Sequence, residues 1–366
     1  MASVLDRQRY MMDDVTLAVP QNSKGEPDHT CLVETAPSAA ESERIQVLRG
    51  MTCCLVVIMH VIGTVAQTGM HVPDGSGWRL FSDLLLHFRM PLFAFIAGFA
   101  YAYRPVRAGQ QKKFLEGKVL RLLLPLVFVA TLYYLSENLH PNASVPPYSV
   151  SEMWRIYLFP YQHLWFLQTI LLVFVVIVIL ETLHVLDTPL RCAVALGVAL
   201  VLPFYFAPQH DWFSITGTVR LLPFFIMGVG LNRFRHLLQH PALPWIATVV
   251  FILFMGKHWL GVFGFGERVS AYTPLASVIG ASGALFLWRW MPRSRLLANI
   301  GNSSFVIFAY HVFFVAITRE LLNSVGWDSH GVTFVLCFTA GVLGPIVMST
   351  IVERVSIGRR IVLGRA

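Results

Sequence analysis

The chain is a succession of long apolar stretches separated by short polar ones. Ten of the stretches approach the ~20 residues a helix needs to cross a hydrocarbon core: 50–67, 81–103, 119–136, 162–184, 190–207, 217–232, 244–262, 272–290, 303–322 and 332–352. The stretch 217–232 is short and interrupted by Pro223 and Gly228, and 258–272 is glycine-rich, which brackets the number of spans between eight and eleven. The pattern predicts an all-α, polytopic transmembrane helical bundle of about ten spans. Residues 1–43 carry Asp, Glu, Ser and Pro with no apolar run. They read as a disordered cytoplasmic tail and not as a cleaved signal peptide.

Composition supports a membrane setting. Of 366 residues 55% are apolar and 13% charged, against about 25% charged in soluble domains. A pI of 9.4 and net charge of +8 would suggest an anionic partner if the cations were scattered. They are not. With the N-terminus inside, sixteen Lys and Arg fall on cytoplasmic loops and the tail 354–366, against Arg79, Arg155 and Arg268 outside. That asymmetry predicts cytoplasmic termini and explains the charge without nucleic acid. Cys31, Cys53, Cys54, Cys192 and Cys337 read as small buried apolar residues, because no Cys/His set has zinc-ligand spacing.

Five groups of polar residues sit where the pattern gives them no solvent. Arg49 and His60 bracket the first apolar stretch with ten residues between them. At ~1.5 Å per residue His60 lies roughly 16 Å deeper than Arg49, near the midplane if Arg49 marks the surface. An ionisable group there is costly and points to function, and imidazole suits a general base. Arg89 falls inside the second stretch, ahead of Pro91 and Gly98; it must face protein or water, in a cavity or in an ion pair with Asp83. Pro91 is expected to kink that helix and Gly98 to admit a close neighbour. Lys118 and Arg121, at i and i+3, share a helix face suited to a phosphate-bearing ligand. His163 and Trp165 open the fourth stretch, and Tyr310 and His311 lie within the ninth.

Taken in order, these motifs resemble those of the integral-membrane acyltransferase-3 family. They are Arg49-x10-His60; Met90-Pro91-Leu-Phe-x-Phe-Ile-x-Gly98-Phe99; Lys118-x-x-Arg121; His163-Leu-Trp165-Phe-Leu; and Tyr310-His311. The resemblance covers roughly residues 44–352 and implies a transmembrane acyltransferase domain over 44–353. The family resembles O-acyltransferases, mostly O-acetyl, of bacterial surface glycans, with acetyl-CoA as donor. Two positions depart from it. Before Met-Pro the family commonly carries Phe-His where this chain has Phe88-Arg89, and before the second-span Gly it commonly has Ser where this chain has Ala97. A covalent acyl-serine at that position is therefore unavailable.

The resemblance implies Arg49 and His60 as the essential catalytic pair, with His60 as base; Arg89 departs from the family, and its charge within a span ahead of Pro91 makes it the candidate to face the oxyanion. Lys118 and Arg121 would hold the CoA phosphates, and His163, Trp165, Tyr310 and His311 the acceptor. No carboxylate is evidently placed to orient His60; Asp83 and Glu320 are the candidates. The implied partners are acetyl-CoA as co-substrate, a glycan or lipid-linked saccharide acceptor of exopolysaccharide, xanthan-like type, membrane lipid, and other polysaccharide-assembly proteins. No bound cofactor and no metal is expected, and the implied location is the bacterial inner membrane. A transporter would be expected to show internal repeats, which the halves lack; an acetyl relay to a partner enzyme is indistinguishable in sequence.

Overall fold

Out of water, a segment must satisfy its backbone hydrogen bonds internally, and helices are how an apolar block of this length does so. The computed structural model describes residues 36–139, 148–206, 208–237, 240–270 and 273–364. The principal helices are α1 (Ala39–Ile62), α2 (Gly77–Leu84), α3 (Arg89–Tyr101), α4 (Gln111–Leu139), α5 (Trp165–Thr182), α6 (Pro189–Tyr205), α7 (Ile215–Arg233), α8 (Ala242–Val262), α9 (Pro274–Trp290), α10 (Arg295–Asn302), α11 (Ser304–Ser324), α12 (His330–Val352) and α13 (Ser356–Ile361). There is no strand among the described residues.

All ten apolar stretches become helix, but they are not equivalent. Among the described residues eight segments are long and apolar enough to cross a membrane, α2 and α3 counting as one. Helices α6 and α9 have 17 residues each, or about 26 Å at 1.5 Å per residue, short of the ~30 Å core. The outer surface is apolar: Val198 on α6, Leu253 on α8 and Ile351 on α12 are 60%, 64% and 60% exposed. Such a continuous belt suits lipid and not water. Helix α5 lies inside the bundle, with Val173 and Ile177 fully buried.

The structure corrects three local expectations. Helix α1 begins at Ala39, inside the segment 1–43 assigned to the tail, because Ser38 and Glu41 form a reciprocal capping box. Residues 1–35 of that tail lie outside the described residues. In the second span the chain breaks at Leu85–Phe88 instead of kinking at Pro91. Pro91 sits in the first turn of α3, where the missing N–H has no helical acceptor to lose. The basic segment 354–366 is not a free tail as far as Gly364: α13 packs on α4, Leu363 is buried, and the Tyr310 hydroxyl donates to the Val362 carbonyl at 2.9 Å.

Two reciprocal glycine contacts set the interior. Added Cβ atoms on Gly98 of α3 and Gly228 of α7 would each run into the other helix's carbonyls, at Phe225 and Phe95. Gly50 of α1 and Gly301 of α10 are paired likewise, against Leu297 and Gln46. Close backbone approach of this kind holds helices together where no hydrophobic difference between lipid and side chain can. It fixes α3 and α7, and so the residues they carry, at one separation.

Candidate functional site

A cavity of about 1240 Å³ lies within one end of the bundle. Its lining comes from the C-terminal parts of α1, α4 and α11, the turn before α5, the start of α3, and parts of α7 and α9. The loop after α1 covers part of it, held by Arg79, which donates to the Gly63 carbonyl, and by Arg319, which donates to Gly69 at 3.0 Å. Gln162 enters the turn before α5 at φ +48°, a conformation L residues rarely adopt. Its side chain donates to Glu137 at 2.9 Å, and the next residue, His163, projects into the cavity wall.

Three imidazoles meet there. His60 and His311 have ring centroids 4.8 Å apart, and His163 lies 5.7 Å and 5.1 Å from them. Backbone carbonyls decide their tautomers, because a ring nitrogen beside a carbonyl must carry the proton. His60 Nδ1 faces the Val56 carbonyl at 2.9 Å and is therefore N–H, leaving Nε2 as a bare acceptor. His311 Nδ1 faces the carbonyls of Ile307 and Phe308 at 2.8 and 3.0 Å, so its Nε2 is an acceptor, 3.1 Å from the His60 Nδ1–H. His163 Nε2 donates to Ala309 at 3.2 Å. His60 and His163 line the cavity, while His311 stands behind them, fully buried.

Arg89 lines the same cavity and is 4% exposed. No carboxylate pairs with it among the described residues; Asp83 instead accepts from Arg268 at 3.2 Å. The ion pair between Arg89 and Asp83 is thus not formed, and His60 is oriented by the Val56 carbonyl and not by Asp83. Glu320 does line the cavity. Beside Arg89 is a second imidazole pair. His258 Nε2 donates to the Asp83 carbonyl at 2.9 Å, so its Nδ1 accepts the N–H of His87 Nε2 at 3.2 Å.

The remaining sequence candidates divide between the two ends of the bundle. Trp165 lines the cavity, packed beside Gly217. Tyr310 is not among the lining residues, and its hydroxyl is used by the C-terminal segment. Arg49, Lys118 and Arg121 lie toward the opposite end, on the N-terminal sides of the cavity-lining parts of α1 and α4. Lys118 Nζ lies 4.1 Å from the Phe174 ring centroid and feels the charges of Arg49 and Arg121; Arg121 is exposed. The cation and the base of the Arg-x10-His spacing are therefore at different levels of one helix.

The sequence reading passed over His87, His258, Arg220 and Arg319. Arg220 could have been found: it is a charge inside an apolar stretch, the signal that selected Arg89. His258 could not, since it becomes relevant only through its contact with a residue 171 positions away. Cys53, Cys54, Cys192 and Cys337 are free thiols.

Comparison with known proteins gives a family and nothing finer. Residues 42–353 match the acyltransferase-3 family, described as an acyltransferase domain. Neither the curated proteins nor the solved structures include a match. The match spans most of the chain, which therefore belongs to the acyltransferase-3 family.

Proposed function

Starting from a multi-pass membrane chain of the acyltransferase-3 family, we propose an O-acyltransferase that moves an acetyl group from acetyl-CoA to a glycan hydroxyl. The acceptor is a surface polysaccharide or its lipid-linked precursor, and the membrane is a bacterial inner membrane. One observation carries the reading: His60, half-buried within a span, lines a cavity with its Nδ1 proton committed to Val56, which leaves Nε2 as an acceptor. A base held in one tautomer is what a hydroxyl nucleophile requires.

The Lys/Arg bias supports an orientation with the N-terminus inside. Lys118, Arg121 and Arg49 then face the cytoplasm, where charge-assisted contacts hold the CoA phosphates. The cavity lies toward the opposite face, and the pantetheine arm covers the roughly 16 Å between the levels of Arg49 and His60. His60 Nε2 takes the proton of the sugar hydroxyl as its oxygen attacks the thioester carbon. Negative charge develops on the acyl oxygen, where the Arg89 guanidinium stabilises it in a water-poor setting. The carbonyl re-forms, the carbon–sulfur bond breaks, and the imidazolium returns its proton to the CoA thiolate. His311 is a positioning residue, accepting from the His60 Nδ1–H. His163 and Trp165 line the acceptor's side.

The test is the surface polysaccharide of cells with and without the protein. Loss of O-acetyl with sugar composition intact supports the proposal, and an unchanged O-acetyl content refutes it. With purified protein, consumption of acetyl-CoA only when acceptor is present separates transfer from transport.

A further inference from the structure

The last turns of α4 give the cavity a polar and aromatic wall that the acyl-transfer chemistry does not use. Tyr133 and Glu137, one helical turn apart, both line the cavity, as do Gln162 and Phe313. Tyr133 makes edge contacts with Phe313 and Tyr161, with ring centroids 5.7 Å apart in each case. Its ring is also 6.2 Å from that of His163. That contact joins this wall to the imidazole cluster, since His163 lies 5.7 Å from His60.

Glu137 is half-buried, and its carboxylate is fixed at both oxygens. Oε2 accepts from the Tyr161 hydroxyl, and Oε1 accepts from the Gln162 amide at 2.9 Å. A carboxylate oxygen has two lone pairs, so these bonds set the group's orientation and leave each oxygen able to accept once more. The backbone carries the strain of this arrangement. Gln162 stands at φ +48°, which a residue with a side chain adopts only where its surroundings impose it. Such strain collects at ligand sites. The strained residue is tied to Glu137 on one side and followed by His163 on the other, so a single turn places both the carboxylate and the imidazole.

We propose that Glu137 binds two adjacent hydroxyls of the acceptor sugar, one on each carboxylate oxygen, with an apolar face of the sugar against Tyr133 and Phe313. An ionised acceptor makes shorter and stronger hydrogen bonds with hydroxyls than a neutral one does. Aromatic side chains beside it supply the apolar contact area. A few fixed polar groups in an otherwise apolar wall are the make-up of a small-molecule site. Tyr133 and His163 stand between Glu137 and His60, so the diol that Glu137 holds is not the hydroxyl that receives the acyl group. The substrate is therefore a saccharide with a free vicinal diol in addition to the hydroxyl that is acylated. The inference rests on the acyl-transfer reading for the word acceptor; the sugar subsite itself stands without it.

The experiment is equilibrium binding to the purified full chain without acetyl-CoA, by titration calorimetry in a detergent that has no sugar headgroup. The probes are the methyl pyranosides of glucose, galactose and mannose, each paired with its 3-deoxy counterpart, which lacks any vicinal diol. At least one parent sugar should bind about tenfold or more tightly than its 3-deoxy counterpart, the range of a charge-assisted contact or two. Glu137→Gln keeps the shape of the side chain and should bring that pair to within about twofold, while Glu137→Asp keeps the charge and should retain part of the difference. In acetyl transfer, Glu137→Gln should raise KM for the acceptor about tenfold and leave KM for acetyl-CoA unchanged, a split that a merely structural role would not produce. Equal affinity within all three pairs, no binding of any sugar, or a difference that survives Glu137→Gln overturns the proposal. Should Glu137→Gln not fold, the wild-type comparison decides together with Glu137→Asp, in which an undiminished difference overturns it. Diol-dependent binding by a protein that transfers no acetyl would refute the reaction and leave the subsite standing; acetyl transfer indifferent to the diol would do the reverse.

Discussion

Replacing His60 by alanine removes the half-buried imidazole proposed as the base, and the cost can be bounded. A positioned general base contributes typically 10²–10⁴-fold, about 2.7–5.4 kcal/mol at 1.36 kcal/mol per decade. The full range applies here because the tautomer is already set: Val56 accepts from Nδ1 at 2.9 Å and His311 Nε2 lies 3.1 Å from the same atom. His163 is the other cavity-lining imidazole of the cluster, with its ring 5.7 Å from that of His60. Its Nε2 proton is held by Ala309, which leaves Nδ1 as its accepting nitrogen on a ring displaced from the place of His60. Acetyl transfer by His60→Ala should therefore fall at least a hundredfold, while the protein accumulates and runs as a single species in detergent. The assay is release of CoA thiol from acetyl-CoA in the presence of acceptor, normalised to folded protein. Activity above about a tenth of wild type would refute the base assignment, since a positioned base is worth at least about a hundredfold.

His311→Ala should lower kcat less than His60→Ala does, by roughly tenfold, because it loosens the ring of His60 without removing the base; steady-state kinetics on both variants give the order. The Lys118→Gln/Arg121→Gln double variant should raise KM for acetyl-CoA with kcat nearly kept, since phosphate contacts persist from ground state to transition state, and a changed kcat at unchanged KM would contradict the assignment. Arg89→Lys should keep part of kcat and Arg89→Ala lose most of it, measured at saturating donor. Glu181→Ala should cost about 3–5 kcal/mol by leaving Arg233 charged and unpaired, because the two side chains are 9% and 5% exposed; a lowered melting temperature in detergent is the readout. Gly98→Val should be similarly unstable, its Cβ having no space against the Phe225 carbonyl.

The His60 cluster was half legible. Arg49, His60, Arg89, His163 and His311 each stood out as polar residues in apolar surroundings, which is a local property. That His60, His163 and His311 share one site is not local, because it depends on α1, α11 and the turn before α5 being brought together. Asp83 shows how spacing misleads. It lies six residues before Arg89, yet across the break at Leu85–Phe88 its carboxylate pairs with Arg268, and Arg89 feels its charge without an ion pair. Tyr310 and His311 are adjacent and so face different ways on α11, one toward the C-terminal segment and one toward His60. Only the latter direction bears on the cavity.

By itself the sequence determined that the chain is a helical membrane bundle, roughly where its apolar helices lie, and to which family it belongs. These follow from run lengths, lysine and arginine placement and ordered motifs, all of which survive without knowing any neighbour. Tertiary structure alone decided the tautomer of His60, the pairing of His87 with His258, the meeting of His60, His163 and Arg89 around one cavity, and the docking of the segment after α12. Each of these depends on groups far apart in the chain and brought together by packing. In a bilayer that packing is governed by small contacts such as Gly98 against Phe225, and a hydrophobic pattern, apolar on every face, carries no record of them.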